Sequence, residues 1–381
     1  MGCGSCKVDC NCPENYKSYL YNLFLTEYFW SDKVNREVNF NDYNSPEVMI
    51  ESLKYAPKDQ WSFVQTKKEN DDFFQQNSVG FGFGHTPDNV GNRVVFMVRL
   101  DSPAFYAGLK RGDILIAVNH QSITTKNLQL ATTNLNTPTT FTLYRPSIME
   151  YMNIDIQSKE YTFRVTDAST ITTESNEKVG YLRFDSFTGS ATEEIDDAFT
   201  YLKAQNIQKL IIDLRYNGGG SVVTTSILLD KLVKDRDEEV QFKLAWNQAN
   251  SYKDETYRFE TDANSLDLKQ VIFLTTSWSA SASEILINAL KPYLQDNVVI
   301  IGDNTHGKPV GMSGKTDGTY IYYLVNFVIE NANGFYDYFN GLEVTKGCQT
   351  FDDIQHELGD PQEQMLKIAL FYVDNGYCEQ K

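Results

Sequence analysis

Apolar residues recur at helical spacing at Tyr16, Leu20, Leu23, Phe24 and Tyr28, just behind Pro13, a residue that a first helical turn tolerates. A second helix is expected to start at Ser45-Pro46-Glu47 and to turn Val48, Met49 and Leu53 inward. The two define a helical N-terminal region, residues 13–68, behind a Cys-rich tail at residues 1–12. From Ser78 the period shortens to two, with glycine-rich turns between short strands at 78–84, 93–98 and 114–119, and the run closes near Tyr144-Arg-Pro146. Residues 69–147 therefore read as a β-rich module. Beyond them, residues 148–381 alternate continuous apolar runs with amphipathic stretches. Val179–Phe184, Lys209–Leu214, Val271–Leu274 and Val298–Ile301 read as buried strands. Ile195, Phe199 and Leu202 mark one helix, Ser281–Tyr293 a second and Pro361–Asn375 a last one. This is α/β architecture with parallel strands, and its chemistry is expected in the loops at strand ends.

The chain has 381 residues, enough for two or three domains, and 41% of them are hydrophobic, too many for a disordered chain. No apolar run reaches the length of a membrane-spanning helix. Acidic residues outnumber basic ones 51 to 34, a net charge of −17 that repels phosphate backbones and leaves nucleic acid an unfavourable partner. No charged-then-apolar leader precedes the chain, so it reads as cytoplasmic or as already trimmed. Gly2-Cys3 matches the end of a bacterial lipoprotein cleavage box, which would make Cys3 a lipid anchor. Cys3, Cys6, Cys10 and Cys12 crowd the tail. Zinc is disfavoured there because no second Cys or His pair follows, which leaves a disulfide knot or an unstructured tail. In an oxidising compartment Cys348 and Cys378 are free to pair with each other.

None of the four histidines stands in a His-Glu-x-x-His pattern, and no Gly-x-Ser-x-Gly turn occurs, so a hydrolase built on this chain would use lysine rather than histidine to activate serine. Two segments invite chemistry. Asp213-Leu-Arg-Tyr-Asn-Gly-Gly-Gly-Ser221 places three glycines between a buried strand and a helix, where backbone N–H groups can face an oxyanion. Ser277-Trp-Ser-Ala-Ser-Ala-Ser-Glu-Ile285 opens a helix with small residues that leave room for a substrate backbone, and Thr305-His-Gly-Lys-Pro309 follows one helix and one strand later. Gly302-Asp-Asn-Thr-His-Gly-Lys308 also matches seven positions of a phosphate-binding loop, but Pro309 replaces the hydroxyl that magnesium requires and no helix follows.

Ser102-Pro-Ala-Phe-Tyr-Ala-Gly-Leu-Lys-Arg-Gly-Asp-Ile-Leu-Ile-Ala-Val-Asn119 resembles the signature of PDZ domains, and Gly80-Phe81-Gly82-Phe83 falls where those domains bind a terminal carboxylate. The order of parts, a helical N-terminal segment, an inserted PDZ domain, Leu-Arg-x-Asn-x-Gly-Gly, Ser-Ala-Ser-Ala-Ser-Glu and a downstream Gly-Lys, resembles the C-terminal processing (tail-specific) peptidases over residues 14 to 370. That resemblance implies a crotonase/ClpP-like α/β core carrying the PDZ insertion, an extracytoplasmic bacterial setting, no metal or organic cofactor, and cleavage of proteins with exposed, apolar C-termini. It makes Ser281 the nucleophile and Lys308 its general base, with Gly219 and Ala282 supplying the oxyanion N–H groups and Glu284 orienting the site or serving only the helix dipole. A lysine accepts a proton near neutral pH only where its ammonium form is disfavoured, so Lys308 is expected to be substantially buried. The spacing from Ser281 to Lys308 exceeds the family's by about two residues. Pro309 replaces a common glycine, and Met312 stands where some members have a supporting glutamine. The alternative is a ligand-binding protein of the same fold that has lost catalysis.

Overall fold

The computed structural model describes residues 15–378, so the four tail cysteines, and with them the Cys3 anchor and the disulfide knot, lie outside the described residues. The chain divides into two compact units. The first takes the described residues up to Asp71 together with Leu244–Glu255 and Val310–Ile329. Helices α1 (Asn15–Thr26) and α2 (Pro46–Leu53) stand where the apolar spacing puts them, and Ser45 caps α2 by accepting the Val48 N–H. One detail differs, because Val48 is exposed while Pro46, Met49, Ile50 and Leu53 are buried. The stretch read as purely helical also holds a strand, β1 (Phe63–Thr66), which pairs antiparallel with the strand Tyr320–Asn331, Phe63 standing opposite Tyr323. Four residues are too few for a strand period to stand out from sequence alone.

The second unit contains a six-stranded antiparallel sheet and a five-stranded, largely parallel one. The antiparallel sheet includes β2 (Phe83–Pro87), β3 (Arg93–Val98), β4 (Ile114–Val118), β5 (Pro138–Arg145) and β6 (Glu150–Gln157), in that spatial order, so β2 is an edge strand. Helix α3 (Thr125–Thr133) buries Leu128 and Ala131 in a core with Phe81, Val95, Leu115 and Phe141. The module boundary expected at residue 147 falls inside the turn of a hairpin: β5 and β6 pair over their full length, from Pro138–Gln157 to Arg145–Glu150. The reason is that β6 alternates exposed and half-buried residues and lacks the apolar run that marks a central strand.

The parallel sheet runs in sequence order, β7 (Thr166–Thr172), β8 (Lys178–Phe184), β9 (Lys209–Asp213), β10 (Gln270–Thr275) and β11 (Val298–Gly302), and only the β7–β8 pair is antiparallel. Strands β8 to β11 are almost wholly buried, as continuous apolar runs in a sheet covered on both faces must be. Helix α4 (Ala191–Ala204) buries Ile195, Phe199 and Leu202, and α5 (Val222–Leu232) and α6 (Ala282–Leu294) follow β9 and β10. The last helix, α7 (Gln364–Asn375), sets Met365, Leu366, Ile368 and Ala369 against Ile211, Ile272, Leu274 and Val299. Among the described residues no helix is long and apolar enough to cross a membrane.

Cys348 and Cys378 form a disulfide, both half-cystines buried in the core under α7. It closes a loop over a sequence separation of 30, for which chain entropy predicts about 3–4 kcal/mol of stabilisation. Replacing both cysteines by serine is expected to lower the urea midpoint accordingly; an unchanged midpoint would show that α7 is held by packing alone.

Candidate active site

Three loops leave the carboxyl ends of adjacent parallel strands. Residues 214–221 follow β9, residues 276–281 follow β10 and residues 303–309 follow β11. The strand order therefore sets the serine-rich loop between the glycine-rich loop and the lysine loop, three segments that are far apart in sequence.

The serine loop is tied down by its flanking hydroxyls. Ser279 Oγ donates to the Leu214 carbonyl at 2.8 Å and Ser283 Oγ to the Asn217 carbonyl at 2.9 Å, while the Ala280 N–H donates to the same Asn217 oxygen at 3.1 Å. Among the described residues, Ser281 is the serine of the repeat whose hydroxyl donates to no backbone carbonyl. Its backbone sits at φ 55° and ψ −111°, a conformation that residues with a β-carbon rarely adopt and that is held by the bonds around it. Ser281 is half-buried and opens α6.

Glu284 lies one turn into that helix, fully buried. Its Oε2 accepts the N–H groups of Ser281 at 2.8 Å and Lys308 at 2.9 Å, and its Oε1 accepts the Thr305 hydroxyl and the Gly307 N–H, both at 2.6 Å. A single carboxylate oxygen thus joins the backbones of Ser281 and Lys308. Burial raises the Glu284 pKa, and the four hydrogen bonds oppose that rise by favouring the ionised form. The same carboxylate thus caps the start of α6 through Ser281 and reaches the loop that carries Lys308. Lys308 itself is half-buried, less enclosed than its expected chemistry asks, between the buried residues Gly307 and Pro309.

Gly219 has φ 102°, and a β-carbon there would lie 2.8 Å from the Ala280 carbonyl oxygen and 2.9 Å from the Ala282 nitrogen, so only glycine allows the two loops to meet. Ala282 is the first residue of α6, where an N–H has no acceptor within its helix. The Gly219 N–H donates to Asn217 Oδ1 at 2.9 Å, so the two residues expected to form an oxyanion site adjoin each other while one of their donors already has an internal acceptor.

The glycine loop rests on a buried ion cluster. Arg215, fully buried, meets Asp213 at 2.9 Å, Asp352 at 2.8 Å and Glu363 at 2.9 Å. Burial works against its charge, but Asp213, Glu363 and Asp352 outweigh that and raise its pKa. Asp352 also pairs with Arg111 of the antiparallel module, and Tyr216 contacts both. Sequence reasoning found Asp213 and Arg215 inside the motif but had no signal for Asp352 or Glu363, which come from a turn-rich stretch without periodicity. Asn217 and Thr305 stood inside quoted motifs with no role assigned.

The Gly80–Phe83 segment belongs to a separate place, ahead of edge strand β2. Phe81 is buried with its ring 5.0 Å from Phe141. The carbonyl of Phe81 accepts the Ala104 N–H at 2.8 Å and that of Gly82 accepts the Arg99 N–H at 2.9 Å. Since a trans peptide sets N–H opposite C=O, the N–H groups of Gly82 and Phe83 are turned away from those donors.

Comparison with known proteins finds similarity to peptidases. Residues 178–329 match the sequence model of peptidase family S41. A protein named "Probable CtpA-like serine protease" from Staphylococcus epidermidis is 28% identical over 324 residues, covering 80% of this chain and 59% of the relative. The carboxy-terminal processing protease CtpB of Bacillus subtilis is 26% identical over 292 residues, covering 76% of this chain and 58% of the relative. The chain thus spans under two thirds of the length of these curated relatives. A crystal structure assigned to an S41 protease from Bacteroides fragilis superposes with a TM-score of 0.81 at 20% identity, covering 98% of this chain and 99% of that one. The photosystem II D1 C-terminal processing protease gives 0.53 at 18% identity, covering 90% and 94%. These two likenesses concern the fold. The resemblance to C-terminal processing peptidases drawn from the motifs is borne out.

Proposed function

Since residues 178–329 carry the peptidase family S41 pattern, we propose that this chain is a serine endopeptidase that binds protein C-terminal tails through a PDZ domain and cleaves with a Ser281/Lys308 dyad. The observation that supports it most is the Glu284 carboxylate, one oxygen of which accepts both the Ser281 and the Lys308 N–H. In this reading Lys308 removes the Ser281 proton as the hydroxyl attacks a peptide carbonyl and returns it to the leaving amine. The N–H groups of Ala282 and Gly219 receive the oxyanion, and Asn217 Oδ1 gives up the Gly219 N–H when they do. The core is of the crotonase/ClpP type and residues 69–147 are the PDZ insertion, whose sheet β6 extends. Edge strand β2 offers an unpaired rim to an extended tail, and the N–H groups of Gly82 and Phe83 receive its terminal carboxylate. The Cys348–Cys378 disulfide favours an oxidising, extracytoplasmic compartment.

The test is digestion of an unfolded protein with an apolar C-terminus, comparing wild type with Ser281→Ala by mass spectrometry of the products. Cleavage by the wild type alone is expected. Equal cleavage by both would remove Ser281 from the reaction, and tail binding without cleavage by either would favour the non-catalytic binding protein.

A further inference from the structure

The rim of edge strand β2 is lined unevenly. Gly84 faces Phe96, whose ring a β-carbon would meet at 2.5 Å, while Phe83 and His85 share the opposite face, their rings 6.3 Å apart. His85 pairs across the sheet with Val95 and Pro87 with Arg93, and Val95 belongs to the core under α3, so His85 and Arg93 lie on the face that α3 covers. Arg93 spans the far end of this groove. One of its nitrogens stands 3.4 Å from His85 Nδ1 and the other donates to the hydroxyl of Thr125, the first residue of α3, at 2.7 Å. Among the described residues no carboxylate pairs with Arg93, although acidic residues outnumber basic ones by 51 to 34 along the chain. Because a guanidinium only donates, Nδ1 is the accepting nitrogen and the His85 proton sits on Nε2, a second donor in the same place. Burial and the neighbouring Arg93 lower the His85 pKa, which keeps that tautomer neutral.

We propose that this end of the groove reads the third residue from the substrate's C-terminus, and that it selects an acidic side chain there. The inference rests on the tail-binding reading above. With the terminal carboxylate at Gly82 and Phe83, the last side chain lies beside Phe83, and an added strand returns to the same face every second residue. The residue two before the terminus therefore faces His85 and Arg93. A carboxylate there accepts from the guanidinium and from Nε2, a charge-assisted arrangement that an amide reproduces only in part and an ammonium group opposes. An apolar final residue and an acidic third-from-last residue then form one signature, read by Phe83 at one end of the strand and Arg93 at the other.

The test uses the full chain with Ser281→Ala, so that peptides are bound and not consumed, and fluorescence anisotropy of labelled decapeptides ending in valine with Glu, Gln or Lys at the third position from the end. The Glu peptide is expected to bind about tenfold tighter than the Gln peptide, and the Lys peptide weaker still. In Arg93→Met the Glu and Gln peptides become equal while the Gln peptide keeps its affinity. In Arg93→Glu the order inverts in favour of Lys, a result that misfolding cannot produce. An amidated C-terminus separates the two claims. If free-acid peptides bind, amidated ones do not, and Glu, Gln and Lys bind alike, the acidic preference is overturned and tail binding stands. If no peptide binds, or amidation changes nothing, the tail-binding reading falls and the preference with it.

Discussion

Lys308→Ala is expected to lower kcat on a tail-bearing substrate by about 10³-fold, the middle of the range for loss of a positioned general base, and to leave KM within a few-fold of wild type. The reason is local: the Lys308 N–H is held by Glu284, which is itself anchored by the Thr305 hydroxyl and the Gly307 N–H, so the loop backbone keeps its place when the side chain is cut back. Lys308→Arg gives no rescue, because a guanidinium does not release its proton to become a base. Steady-state kinetics with both variants checks this, and a loss of less than tenfold in Lys308→Ala would remove lysine from the role of base.

The second large effect falls on stability. Arg215→Met leaves Asp213 and Glu363 buried without their cation, and Asp352 with Arg111 alone. Removing one partner of a buried ion cluster costs about 3–5 kcal/mol, mostly as the penalty on the charges left behind. For a folding unit of this size that is a fall in Tm of about 5–9 °C. The pH dependence distinguishes this cause from lost packing. In the wild type the Asp352 pKa is lowered, burial acting against it and Arg111 and Arg215 in its favour, so its contribution is present above the unfolded pKa and is lost as pH falls. In Arg215→Met, Asp352 loses one of the two guanidinium groups that lower its pKa, so part of that contribution is gone at neutral pH and the deficit relative to wild type is expected to shrink as pH falls. A deficit that stays constant from neutral to acid pH would assign the loss to packing.

Much of the parallel sheet could be read in advance because its strands are short runs such as Leu210-Ile-Ile212 and Val298–Ile301, apolar at every position, a pattern that only strands buried on both faces require. The helices that follow them were legible for the same reason, α4 through Ile195, Phe199 and Leu202 and the start of α6 through its run of small residues. Strands β1 and β6 escaped because their residues are exposed or half-buried, so no periodicity separates them from loops. The candidate dyad came from a resemblance and not from chemistry visible in the residues, since nothing in a Ser-Ala repeat distinguishes its serines. Their difference is tertiary. Ser279 and Ser283 spend their hydroxyls on the carbonyls of Leu214 and Asn217, and those carbonyls are within reach only because β9 lies beside β10.

What the sequence determined by itself is the set of local elements: which runs are buried strands, where helices begin, and which short loops are rich enough in glycine or serine to do chemistry. Those choices depend on side-chain periodicity and on the freedom of glycine, which act over a few residues. Which loops meet was decided by the order of the parallel sheet. That order places the loops after β9, β10 and β11 side by side, lets Glu284 receive Ser281 and Lys308 on one oxygen, and brings Asp352 and Glu363 onto Arg215 from far along the chain. Long-range pairing of this kind is set by the free energy of the whole fold, in which hundreds of weak burial terms act together, and no short window of residues contains it.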